Sequence, residues 1–198
     1  ASDIDLSNDF DSELIIQNEY TFTFVEYNTT SGFTLYDHYH DEGTPSKIND
    51  IRLVRYDTDP FHDVVITHTD TTELTVYITQ HSQATGEFYF SEDSQNKISK
   101  TLTYTPITSA TGDFYQDTYD DVISLDINGY IYIESHSGPS SLTTTSPYSV
   151  SCSADRIETL DYNDDNLCDF MLVDSDTGDL NIYCNNGATS PSVDFTYI

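Results

Sequence analysis

The sequence predicts an all-β chain, a β-propeller-like array of four four-stranded antiparallel blades with Asp-rich calcium loops. Three observations carry that expectation. The 16 Tyr and 10 Phe, with many Thr, Val and Ile, favour strands. No window shows sustained helical periodicity. An acidic stretch followed at once by an apolar run recurs at a period of about 50 residues, the size of one blade.

The clearest copy of the acidic stretch is Asp161-Tyr162-Asn163-Asp164-Asp165-Asn166-Leu167-Cys168-Asp169, which runs into Phe170-Met171-Leu172-Val173. Oxygen-bearing side chains fall at positions 1, 3, 5 and 9: Asp161, Asn163, Asp165 and Asp169. A hard cation such as Ca²⁺ takes about six to eight oxygen ligands. A tight loop with alternate side chains turned inward supplies four of them, and the carbonyl of Leu167 at position 7 supplies a fifth. The D-x-N-x-D opening occurs in EF-hand loops too, but those need Gly at position 6 and a helix on each side. Here position 6 is Asn166, and the residues that follow read as strand, turn, strand.

Aligned on the last acid of the loop, four copies end at Glu13, Asp63, Asp121 and Asp169. Strands are expected directly after each, at Leu14–Ile16, Val64–Ile66, Val122–Leu125 and Phe170–Val173. Third strands follow at Phe22–Val25, Leu74–Ile78, Tyr130–Ile133 and Leu180–Cys184, and closing strands at Phe33–Tyr36, Phe88–Phe90, Tyr148–Val150 and Phe195–Ile198. The blades so delimited are 1–46, 47–107, 108–153 and 154–198, in one repeat domain.

The D-x-[DN]-x-D-x-x-x-D loop combined with blade-sized repeats resembles the FG-GAP family, the repeat of integrin α-chain propellers. The resemblance implies Ca²⁺ in the loop between the first two strands of a blade and a role in adhesion or extracellular scaffolding. The loop at 161–169 is complete. The loop at 113–121 keeps Asp113, Asp117 and Asp121, with the position-7 carbonyl on Tyr119, but has Tyr115 at position 3, whose hydroxyl or a water would fill the gap. The loop at 55–63 starts with Arg55, a guanidinium able to replace the metal's charge by pairing with Asp57, Asp59 and Asp63. The first loop offers Asp5, Ser7, Asp9 and Glu13, the weakest candidate set.

Thirty-five acidic residues against six basic ones give a net charge of −29, which argues against nucleic acid and anionic membranes as partners. No run approaches the ~20 apolar residues of a membrane span. His38 and His40 share one face of an expected strand and could hold a transition metal, although an exposed polar face is the simpler reading. His62, His68, His81 and His136 stand singly and read as surface residues. No nucleophile elbow and no H-E-x-x-H helix is present, so a non-catalytic protein is expected. Asn28-Thr29-Thr30 is an N-glycosylation sequon, and Gly138–Pro147 is a Ser/Thr/Pro-rich link suited to O-glycans. Folding the last hairpin about its Asp-Thr-Gly turn brings Cys168 and Cys184 within about one residue of register, near enough for a disulfide. Cys152 is left over.

The chain therefore reads as a secreted or cell-surface, calcium-stabilised propeller. It would act by adhesion, binding or assembly with other protein chains, including copies of itself in a homo-polymer, and with glycans. The short first copy suggests that a neighbouring chain completes it. The competing readings are a carbohydrate-binding or carbohydrate-cleaving propeller, and a repeat unit of a longer extracellular protein.

Overall fold

Aromatic and β-branched residues alternate with polar ones along most of the chain, and in the computed structural model every regular element among the described residues is a β-strand. The described residues are 13–17, 19–28, 32–40, 47–81, 88–90, 96–136, 142–145, 147–150, 152–189 and 192–198. Among them no helix is long and apolar enough to cross a membrane. The chain forms two compact units, Ala1–Thr101 and Leu102–Ile198.

The first unit contains a three-stranded antiparallel sheet of β1 (Glu13–Gln17), β2 (Thr21–Asn28) and β3 (Gly32–His40), in that order. Next to it in sequence come β4 (Ile48–Val54), β5 (Asp63–His68), β6 (Glu73–Tyr77), β7 (Thr79–His81), β8 (Phe88–Phe90) and β9 (Lys97–Thr101). The four-stranded sheet has the order β4-β5-β6-β9, while β7 and β8 form a separate hairpin. This corrects the expectation that Phe88–Phe90 closes the second sheet. Lys97–Thr101 does so instead, with Ile98 opposite Val76. Every residue of β5 is buried, so this central strand is covered on both faces. Phe22, Ile48, Val64, Ile66 and Tyr77 form a buried cluster in this unit.

The second unit contains β10 (Pro106–Gly112), β11 (Asp121–Asp126), β12 (Tyr130–His136), β13 (Leu142–Thr144) and β14 (Tyr148–Ser149), with β13 and β14 both paired to β12. Part of the Ser/Thr/Pro-rich link thus forms a strand, β13, because its hydrogen-bonding groups meet the edge of β12 at Glu134–His136. The last sheet runs β15 (Arg156–Leu160), β16 (Asp169–Val173), β17 (Leu180–Thr189), β18 (Ser192–Tyr197) in simple antiparallel order. Phe114, Ile123, Leu125, Ile131, Ile157, Phe170, Leu172 and Phe195 build a core shared by both sheets. Phe170 stacks on Tyr183 at 4.7 Å and meets Phe195 edge-on at 4.8 Å. The hairpin turns at Gly129 and Gly178 take a φ of +79°, a conformation that glycine adopts without penalty.

Register also decides the cysteines. The last hairpin pairs Phe170 with Tyr183, so Asp169 falls opposite Cys184 and Cys168 falls opposite Asn185. Side chains one step out of register lie on opposite faces of a sheet. The expected Cys168–Cys184 disulfide is therefore absent: all three cysteines are free thiols.

Candidate metal centre

Each of the acidic loops at 55–63, 113–121 and 161–169 joins the first strand of a sheet to the second, and its ninth residue opens that second strand. Asp63, Asp121 and Asp169 are all completely buried. Each spends its carboxylate in the same way. One oxygen accepts the backbone N–H of the loop's second residue: Tyr56 at 3.1 Å, Phe114 at 3.0 Å and Tyr162 at 3.0 Å. The other accepts a backbone N–H from further along the chain: Thr79 at the start of β7 at 2.8 Å, His136 at the end of β12 at 3.1 Å and Asn185 within β17 at 2.7 Å. The ninth acid thus staples the start of the loop to the sheet, satisfying two amides that would otherwise be orphaned. Burial raises Asp63 and Asp121 to about 7. Nearby loop carboxylates push the same way, and the amide bonds oppose them.

In the two loops of the second unit, positions 1 to 6 curl identically. Asp161 accepts the N–H groups of Asp165 and Asn166, at 3.1 and 2.9 Å. Asp113 accepts those of Asp117 and Thr118, at 3.0 and 2.9 Å. Position 5 then accepts the N–H of position 7, Asp165 from Leu167 at 2.8 Å and Asp117 from Tyr119 at 3.1 Å. Asn163 adds its Oδ1 to the N–H of Asp165 and its Nδ2 to the carboxylate of that residue. Among the described residues, the non-glycine residues with left-handed backbones are positions 4 and 6 of these loops: Gln116 (57°), Thr118 (79°), Asp164 (59°) and Asn166 (65°). Thr118 is the strained member, since a β-branched side chain resists positive φ.

The second loop cannot take this shape. Its sixth residue is Pro60, whose ring holds φ near −65°. It makes two Asx turns instead, the N–H of Asp59 donating to Asp57 and that of Phe61 to Asp59, both at 2.9 Å. Arg55 is exposed on this loop.

The donors at positions 1, 3 and 5 are all oxygen, which suits a hard cation in kind, and all turn toward one loop interior. An oxygen that accepts one N–H keeps a second lone pair. Yet no three His, Cys, Asp or Glu side chains among the described residues are grouped closely enough to hold a metal. Residues 161–166 are all exposed, and closing them on an ion requires this arc to tighten. Tyr115 does not serve as the third ligand of its loop. Its ring packs against the core, where its hydroxyl is buried without a hydrogen-bond partner among the described residues.

Other expected sites fare variously. Asp5, Ser7 and Asp9 lie outside the described residues, and Glu13 is placed only as the first residue of β1. Asn28 ends β2, paired with Gly32; Thr29 and Thr30 lie outside. His38 and His40 sit on β3 opposite Thr23 and Thr21, their side chains outside what is described, as is that of His81. His68 and His136 are buried, contrary to a surface reading. His136 sits under the third loop, edge-on to Tyr119 at 4.8 Å. Burial and the neighbouring carboxylates push the Cys168 thiol up to about 12, so it stays protonated at neutral pH.

Two buried polar residues carry no signal in the sequence, and one of them, Asn185, belongs to this site. Asn185 is buried and ties two loops together: its Nδ2 donates to the carbonyls of Cys168 at 3.3 Å and of Phe114 at 3.1 Å. Glu134 is also buried, accepting hydroxyls from Tyr104 at 3.0 Å and Thr144 at 2.9 Å. No known family model matches this chain, and no curated protein matches it either.

Proposed function

We propose that this chain is a non-catalytic, calcium-stabilised domain of repeated β-sheets that works outside the cell by binding or assembly, its blades arranged as in a propeller. The observation that carries this reading is the recurrence of one loop design at 113–121 and 161–169. The same buried ninth acid, the same amide-wound first acid and the same two left-handed positions occur in both. Asx turns alone explain any single loop. Repetition of the whole pattern, with four side-chain oxygens in one copy, supports a shared ligand.

Asp161, Asn163, Asp165, Asp169 and the carbonyl of Leu167 would hold Ca²⁺ in the last loop, and Asp113, Asp117, Asp121 and the carbonyl of Tyr119 in the third. Bound calcium supplies positive charge that offsets the mutual repulsion of these carboxylates. With Tyr115 turned into the core, the third loop is one ligand short and binds more weakly. Sites of that kind fill at millimolar calcium, which suits an extracellular setting. The acidic surface favours partners that are basic or that bind through calcium. Calorimetric titration should count two bound ions, reduced to one by Asp165→Ala. A flat titration up to several millimolar would refute the assignment.

A further inference from the structure

Thr79 and His136 are the counterparts of Asn185, donating their backbone N–H to the ninth acids Asp63 and Asp121 as Asn185 does to Asp169, and the three side chains do different work. Thr79 donates its Oγ1 to the carbonyl of His62, the eighth residue of its own loop, at 2.6 Å. The ring of His136 lies against Tyr119, the seventh residue of its own loop. Asn185 also serves its own loop, through the carbonyl of Cys168 at its eighth position. Asn185 also reaches a second loop, through the carbonyl of Phe114. Its Oδ1 is fixed as well, accepting the N–H of Gly187 at 2.9 Å, which orients the amide.

Phe114 is no passive partner. Its N–H is the group held by the buried carboxylate of Asp121, and its ring lies fully buried in the core. Hydrogen bonds thus link the two ninth acids through Phe114 and Asn185: the Phe114 N–H donates to Asp121, the Asn185 Nδ2 donates to the Phe114 carbonyl, and the Asn185 backbone N–H donates to Asp169. We infer that Asn185 couples the loops at 113–121 and 161–169 into one cooperative unit, so that ordering either loop orders the other. The physical requirement is that one side chain have bonds to both loops, because loosening either then costs the shared donor a partner. The consequence for ions rests on the calcium reading above: a first ion in the complete loop raises the affinity of the incomplete one.

The natural test is Asn185→Thr, because Thr79 already shows that a threonine at this place satisfies its own loop. Amide exchange is followed in chelator, residue by residue. Coupling predicts that the Phe114, Asp117 and Thr118 amides exchange roughly fivefold faster in the variant, the factor for one net hydrogen bond, while Asp165 and Asn166 keep their protection. Unchanged exchange in the third loop would overturn the inference. Should the variant unfold, Asp113→Ala reads the same link from the other side. This exposed-loop change should speed exchange at Asp165 and Asn166, and no effect there would count equally against coupling. Calcium titration is the second arm: Asp165→Ala should weaken binding at the third loop severalfold in the natural sequence and not in Asn185→Thr. If no calcium binds at all, the metal reading fails, and the exchange in chelator still decides the coupling.

Discussion

The carboxylate of Asp121 holds the backbone N–H of His136, 15 residues further along the chain, at 3.1 Å in a fully buried position. Its other oxygen holds the N–H of Phe114. Replacing Asp121 by Ala would strand two buried amides at about 1–3 kcal/mol each. Loss of roughly 2–5 kcal/mol of unfolding free energy is expected by urea titration. A loss under ~0.5 kcal/mol, the level of an ordinary surface substitution, would mean that the acid is no staple.

Asp63 gives the same arrangement a pH signature. Burial is the largest influence on it, and lifts its pKa from the ordinary 3.8 to about 7. Between those values the folded chain keeps a proton that the unfolded chain has released, so stability falls as pH rises. The contribution is complete below about pH 4 and is lost as pH climbs through about 7. Asp63→Asn, which cannot titrate, should flatten this part of the profile of urea midpoint against pH. Parallel profiles for the two proteins would contradict the assignment.

The second loop differs from those at 113–121 and 161–169 in backbone as well as in charge. Arg55→Asp alone should add no ion, because Pro60 still forbids the left-handed sixth residue. Arg55→Asp combined with Pro60→Asn should add one, counted by titration against the natural chain. Equal stoichiometry in both variants would show that φ at this position is not the obstacle.

Cys168 packs its Sγ where a side chain on Gly112 would sit, so the glycine on β10 and the cysteine at the loop end fit one another. Gly112→Ala should cost about 1–3 kcal/mol, as overpacking does, and Cys168→Ala should recover much of that loss. Reductant should leave the melting temperature unchanged, and peptide maps without reduction should recover Cys168 and Cys184 unlinked.

Strand positions were legible because apolar periodicity and the ninth acid mark where each second strand starts. Asp63, Asp121 and Asp169 do open β5, β11 and β16. Closing strands were harder to read. Phe88-Tyr89-Phe90 has the stronger β-propensity, yet Lys97–Thr101 wins the place beside β6 because Ile98 can face Val76 there. The disulfide failed on a matter of one residue: spacing brought Cys168 and Cys184 near, and the alternation of a strand put them on opposite faces. His136 reads as a surface residue because a lone polar side chain usually is, whereas it is buried with its ring edge-on to Tyr119. Asn185 carried no local signal, since what it joins is 71 residues away in sequence. Asn166, by contrast, was a signal not used. Asn at the sixth position, where EF-hand loops need Gly, marks a left-handed residue in advance.

Calcium binding at 161–169 decides whether these loops are metal sites or acidic turns. The decisive measurement is the melting temperature in chelator and in millimolar Ca²⁺, for the natural chain and for Asp165→Ala. An ion at about 100 times its dissociation constant adds about 2.7 kcal/mol, which for a chain of this size is a rise of roughly 5–10 °C. That rise is expected in the natural chain and should be largely missing in Asp165→Ala. Identical melting of the natural chain with and without calcium would contradict the account and leave these loops as acidic turns.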